Sequence, residues 1–219
     1  MNLFNPHLGD MNMTRIYNGR NEQDVRETLI SLGVTILVGA HGSGKTSTVA
    51  TIIKEFEGMG ISSNFSTQEV KRMLKVKDNK FAIFHCSKQD HYQQHGLSIR
   101  DSGLKQHFIS LMEEFKPDIN QAHQPKAIVV LDGAENLPEW SDFVKGGEFR
   151  TVLGSARSMG IQVVVVLSEG TRGNHFITTN ARTLAVFKSS ENGYNYYNVK
   201  EEDRELIKNA GDYFVKKFF

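Results

Sequence analysis

Apolar residues along the chain fall into short continuous blocks separated by longer stretches in which they recur every three or four positions. "VTILV" (34–38), "FAIFHCS" (81–87), "KAIVVLD" (126–132), "IQVVVVLS" (161–168) and "TLAVFKS" (183–189) are blocks rich in β-branched and aromatic residues. Unbroken apolar runs of this length suit strands buried on both faces, as in a parallel sheet. Between them lie helical patterns. "NEQDVRETLISLG" opens on Asn21 as a cap, fills its first turn with acids and stops at Gly33. "KTSTVATIIKEFEGMG" stops at Gly58 and Gly60. "SGLKQHFISLMEEF" (102–115) carries Leu104, Phe108, Leu111, Met112 and Phe115 on one stripe. "EFRTVLGSARSMG" reads as a helix ending at Gly160, and "VKEEDRELIKNAGDYFVKKFF" as a closing helix. Strands alternating with helices predict an α/β fold, a mostly parallel sheet covered on both faces. No composition break demands a second unit, so residues 1–219 are expected to form one domain, with the polar segment 1–20 as an irregular arm.

Composition narrows the picture only slightly. Of 219 residues, 39% are hydrophobic and 23% charged, ordinary values for a globular chain. Lys and Arg number 26 against 25 Asp and Glu, so bulk charge does not advertise a polyanionic partner. A ring that lines a pore with a few cations per subunit would escape that test. One cysteine, Cys86, leaves no internal disulfide. His85, Cys86, His91 and His95 share a segment but lack the thiolate pairs of a structural zinc site, and a strand end followed by a polar loop accounts for them. No run has the length of a membrane span or of a signal-peptide core, so direct membrane insertion is not expected.

The chemistry starts at "GAHGSGKT", between the 34–38 strand and the helix that follows. It matches the phosphate-loop pattern G-x-x-x-x-G-K-[ST] in the strand-to-helix setting the pattern requires. Gly39, Gly42 and Gly44 let the backbone turn its N–H groups around phosphate oxygens, with Ala40, His41, Ser43 and Ser47 completing the cradle. The helix beginning near Lys45 adds the positive end of its dipole. Lys45 is expected to reach the β and γ phosphates, and Thr46 to ligate Mg²⁺. ATP and Mg²⁺ are therefore the expected cofactors.

"AIVVLDGAEN" supplies the second half. Asp132 ends a buried strand, where a carboxylate holds Mg²⁺, partly through water. Many ATPases place a Glu directly after this Asp to polarise the attacking water; here Gly133 and Ala134 intervene. Glu135 is the nearest acid, either the base or a solvated loop residue.

From Asp132 onward, the order of "ARSMGIQVVVVLS" and "NARTLAVFK" resembles the FtsK/HerA superfamily of DNA-pumping ATPases. The likeness is greatest to the genome-packaging ATPases of poxvirus-like and internal-membrane icosahedral viruses, over about residues 34–190. The resemblance implies a three-layer P-loop NTPase with the additional-strand, RecA/FtsK-like sheet order. It also implies a homo-oligomeric ring with nucleotide between subunits, double-stranded DNA as the moved polymer, and capsid vertex proteins as further partners, in a virion or host-cell cytoplasm. It implies an arginine finger acting in trans, with Arg157 as first candidate, then Arg182 and Arg150; an ordinary surface ion pair accounts for any one of them equally well. The family's polar sensor, often Gln, is here Ser168, followed by Glu169. Loops 87–100 (Lys88, His91, Tyr92, Arg100) and 169–182 (Arg172, Asn174, His175) are where backbone-tracking DNA contacts are expected, unless they are plain surface loops.

Two other readings fit the phosphate loop. A nucleoside or nucleotide kinase would place the Asp132 strand directly beside the 34–38 strand, whereas motor ATPases insert "IQVVVVLS" between them. A nucleotide-gated assembly protein with little turnover would explain the displaced Glu.

Overall fold

The computed structural model describes residues 16–58, 80–85, 127–136, 140–169, 180–209 and 212–218, with single residues 105, 109, 112, 113, 115, 117, 125 and 177. Strands β1 (Ile16–Asn18), β2 (Gly33–Gly39), β3 (Lys80–His85), β4 (Ala127–Asp132), β5 (Ile161–Ser168), β6 (Ala181–Val186) and β7 (Tyr213–Phe218) form one sheet in the order β1-β7-β6-β2-β5-β4-β3. Neighbouring strands from β6 through β3 pair in parallel; β7 runs against β6 on one side and β1 on the other. The "IQVVVVLS" strand, β5, thus lies between β2 and the Asp132 strand β4. That is the order expected of motor ATPases and not of nucleotide kinases.

Why these residues bury both faces is visible in their alternation. Val34, Ile36 and Val38 of β2, with Val163, Val165 and Leu167 of β5, point into one cluster. It is covered by Trp140 and Phe143 of α3 (Trp140–Phe143), Phe149, Val152 and Leu153 of α4 (Gly147–Ser155), Tyr194 of α5 (Glu191–Tyr196) and Ile207 of α6 (Glu201–Asn209). Leu37, Val164 and Val166 point the other way, onto Val25 of α1 (Glu22–Thr28) and Val49, Ile52, Ile53 and Phe56 of α2 (Lys45–Gly58). A strand with period-two geometry and no polar face can only sit where both sides are covered. Each of these fully buried side chains contributes roughly 1.5–3 kcal/mol relative to exposure.

Four expectations change. The closing segment is not one helix: α6 ends at Asn209 and the chain returns as β7. "YFVKKF" has the aromatic and β-branched content of a strand. The first helix ends at Thr28, capped as expected by the Asn21 side chain accepting from Asp24 N, while Gly33 opens β2 at φ +100°. The helix before β5 ends at Ser155, so Arg157 lies in the turns that lead to Gly160. Residues 16–18 of the segment expected to be irregular form β1; residues 1–15 lie outside the described residues. Of the helix expected over 102–115, Lys105, Ile109, Met112 and Glu113 are helical.

Candidate nucleotide-binding site

All the chemistry expected of a nucleotide site converges on one edge of the sheet, because parallel strands end on the same side. β2 runs into the phosphate loop, β4 ends at Asp132 and β5 ends at Ser168, which pairs with Gly39. Gly42 and Gly44 adopt φ of +73° and +91°, conformations that L side chains rarely reach, so the loop's curvature depends on glycine there. Gly39 is required by space: a Cβ would lie 2.9 Å from the Lys188 carbonyl oxygen and from Ser43 Oγ.

Lys45 is nearly buried, and its Nζ donates to the carbonyls of Gly39 (2.9 Å) and Ala40 (2.6 Å) and to Ser43 Oγ (3.3 Å). The ammonium is thereby held in the curve of the loop. Burial pushes its pKa down, and Asp132, Glu135 and Glu169, in that order, oppose the shift. The Thr46 hydroxyl donates to Asp132 Oδ2 at 2.9 Å. A hydroxyl and a carboxylate this close form an oxygen donor set of the kind a hard divalent cation takes, so these residues fit Mg²⁺. Ser43 is buried in the loop; His41 and Gly42 are exposed, and Ala40 and Ser47 are partly so. The Ala40 N–H donates to the Lys188 carbonyl at 2.7 Å, which ties the loop to the end of β6.

Glu135 is carried into this group by local geometry. Gly133 at φ +66° turns the chain out of β4, and the 3₁₀ turn Ala134–Asn136 swings it back, closed by Asn136 N donating to Gly133 O at 3.0 Å. Glu135 Oε1 then accepts from the Ser168 backbone N–H at 3.1 Å. The two residues separating Glu135 from Asp132 are absorbed by the turn. Ser168 contributes this N–H, and its side chain is exposed.

Glu169, noted from the sequence only as the residue following Ser168, closes the same edge. Its N–H donates to Gly39 O at 3.0 Å, and its carboxylate accepts from Ser190 N at 2.8 Å and from the Ser190 hydroxyl. A Cβ at Gly193 would meet that carboxylate at 2.9 Å. Its place directly after Ser168, the last residue of β5, was its only signal.

Arg157 and Arg182 lie at the other end of β2. A Cβ at Gly33 would be 4.0 Å from the Cβ of each. Both are exposed, as is Arg150 on α4, and none is among the groups around Lys45. Within one chain, Arg157 and Arg182 stand at the end of β2 opposite the phosphate loop. Lys88, His91, Tyr92, Arg100, Arg172, Asn174 and His175, the expected DNA contacts, lie outside the described residues, as do Cys86, His91 and His95.

Solved structures share this architecture. The genome-packaging NTPase B204 of Sulfolobus turreted icosahedral virus 2, in complex with sulfate, superposes with a TM-score of 0.52 at 13% identity, covering 85% of this chain and 91% of that one. EssC (ATPases 2 and 3) of Geobacillus thermodenitrificans gives 0.55 at 15% identity, with coverage of 84% and 39%. The cytoplasmic domain of the type VII secretion ATPase EccC of Thermomonospora curvata gives 0.51 at 12%, with 85% and 24%. No protein-family model matches the chain, and no curated protein matches it by sequence. What these likenesses show is a shared fold, an α/β domain with a mostly parallel sheet and flanking helices like that of these ATPases.

Proposed function

We propose that the chain is an ATP-hydrolysing motor that assembles as a homo-oligomeric ring and translocates double-stranded DNA, as in packaging a viral genome into a capsid. The observation that carries the ATPase reading is the set Lys45, Thr46–Asp132 and Glu135 gathered at the mouth of the phosphate loop. Lys45 would bind the β and γ phosphates, and the loop amides would hold the remaining oxygens. Thr46 and Asp132 would hold Mg²⁺, which supplies charge neutralisation on the phosphates. Glu135 would accept a proton from water as the water oxygen bonds to the γ phosphorus. The bond from that phosphorus to the bridging oxygen breaks, and ADP leaves with that electron pair. To do so Glu135 would exchange the Ser168 N–H for the water, and Ser168 would remain a polar group beside the γ phosphate.

Arg157 and Arg182 lie at the far end of β2, so either would act as a finger only from a neighbouring chain. This supports the ring. What supports DNA as the moved polymer is the likeness to the packaging NTPase over 91% of that chain's length. The likeness to EssC and EccC supports the coarser reading of an ATPase motor equally well. Capsid vertex proteins as partners, and a virion or host-cell cytoplasm as the location, follow only from the packaging reading. A nucleotide-gated assembly protein is the reading to beat if turnover is absent.

The test is steady-state ATP hydrolysis by the purified chain with and without double-stranded DNA, with Lys45→Ala as blank. Hydrolysis that rises severalfold with DNA is the expected result. ATP binding without hydrolysis under either condition would replace the motor by the assembly protein.

A further inference from the structure

The turn into β7 presses a carboxylate against the phosphate loop. A side chain begun at Gly44 would meet Asp212 Cα at 2.6 Å and Cγ at 2.7 Å. The Asp212 carbonyl accepts from Gly19 N at 2.9 Å, and its carboxylate pairs with Arg20 Nε. Gly19 in turn lies on α2, where a Cβ would collide with Thr48 Oγ1. Asp212 is 14% exposed and Arg20 69%. Residues from both ends of the described chain thus meet on the first turn of the helix that follows the loop.

An acid at that place has the wrong sign for a site that holds a polyphosphate, because like charges a few ångströms apart in a half-exposed setting repel appreciably. Arg20 supplies the opposite charge. As a surface ion pair it adds little to folding stability. Its consequence lies in what it allows beside Gly44.

We propose that Arg20 is a positioning residue of the nucleotide site: it holds and neutralises Asp212, so that the carboxylate wedged at Gly44 tolerates a bound polyphosphate. This rests on the reading of the loop as an ATP site. The experiment measures dissociation constants of the full chain for ATP, ADP and AMP, calorimetrically, at low and high salt. Arg20→Ala is expected to weaken ATP about tenfold at low salt, ADP less and AMP least, with the loss shrinking as salt rises. Adding Asp212→Asn to Arg20→Ala, which removes the charge and keeps the shape, is expected to return ATP affinity to within about twofold of the unaltered chain. A purely structural clasp would give no such rescue and equal losses for ATP and AMP, which would overturn the proposal. So would weaker binding by Asp212→Asn alone, since the carboxylate would then be a direct ligand of the nucleotide. If the unaltered chain binds no ATP, the site reading fails with it; if it does and Arg20→Ala matches it, only this proposal fails.

Discussion

The two edges of the sheet carry opposite kinds of charge in opposite surroundings. At the carboxyl edge, Lys45 is buried among Asp132, Glu135 and Glu169, and every group has a partner within the chain. At the amino edge of β2, Arg157 and Arg182 both lie near Gly33, exposed, with no ion pair among the described residues. The difference teaches how one chain can hold two half-sites. Strand direction sorts the phosphate-binding groups to one edge, and nothing in the fold brings the arginines to it. In the proposed ring, the amino edge of one subunit completes the carboxyl edge of the next.

That contrast can be broken most forcefully at Lys45. Lys45→Ala should bring ATP hydrolysis to background, because the described residues offer no second buried cation at the loop, while a cooperative thermal transition persists. Retained turnover would remove the site from the carboxyl edge altogether. Arg157→Ala tests the other edge: kcat should fall about 10³-fold with ATP affinity nearly unchanged. Mixing it with Lys45→Ala should restore part of the activity, since some mixed interfaces then carry both intact halves. No recovery in rings shown to be mixed would leave Arg157 a surface residue. Glu135→Gln should lower kcat about 10²-fold and spare binding, because it retains an acceptor for Ser168 N–H but not a base. An unchanged rate would reduce Glu135 to a tether.

The smallest effect is one of pH. Burial lowers the Lys45 pKa, so its ammonium is lost at a lower pH than for an ordinary lysine. ATP affinity should decline as pH rises toward that lowered value. Stability without nucleotide should move the other way. The unfolded lysine keeps its proton longer, so the penalty for burying the charge fades as pH rises through the folded pKa. Titrating affinity and melting temperature together checks both signs, and Lys45→Arg should flatten the affinity limb.

Much of this was legible in the residues. β2, β4 and β5 announce themselves because a strand buried on both faces admits no polar positions, and "GAHGSGKT" carries its own geometry in its glycines. Asp132 was placed by the strand it ends. Glu135 was ambiguous because the sequence shows an offset of Gly133 and Ala134, and only the positive φ of Gly133 and the turn after it return the carboxylate to β5. The Lys188 and Gly39 carbonyls that hold the loop left no trace, since a backbone contact has no residue code. β7 was misread as helix because the acidic run before it is strongly helical and Lys216 and Lys217 look like a helix terminus. Asp212 and Arg20 were invisible as a pair, because nothing local relates them.

The position of β5 carries a cost in time. β2 pairs on one side with β5, Gly33 against Gln162, and on the other with β6, Val34 against Ala181, both far downstream. As a ribosome extends the chain, the strand that bears the phosphate loop emerges with both of its ladders unmade, and it must wait for most of the protein to be synthesised. Pairings of such sequence separation close slowly and leave an apolar strand exposed meanwhile. The same insertion that gives the sheet its motor-type order therefore makes the loop one of the last parts of the molecule to find its shape.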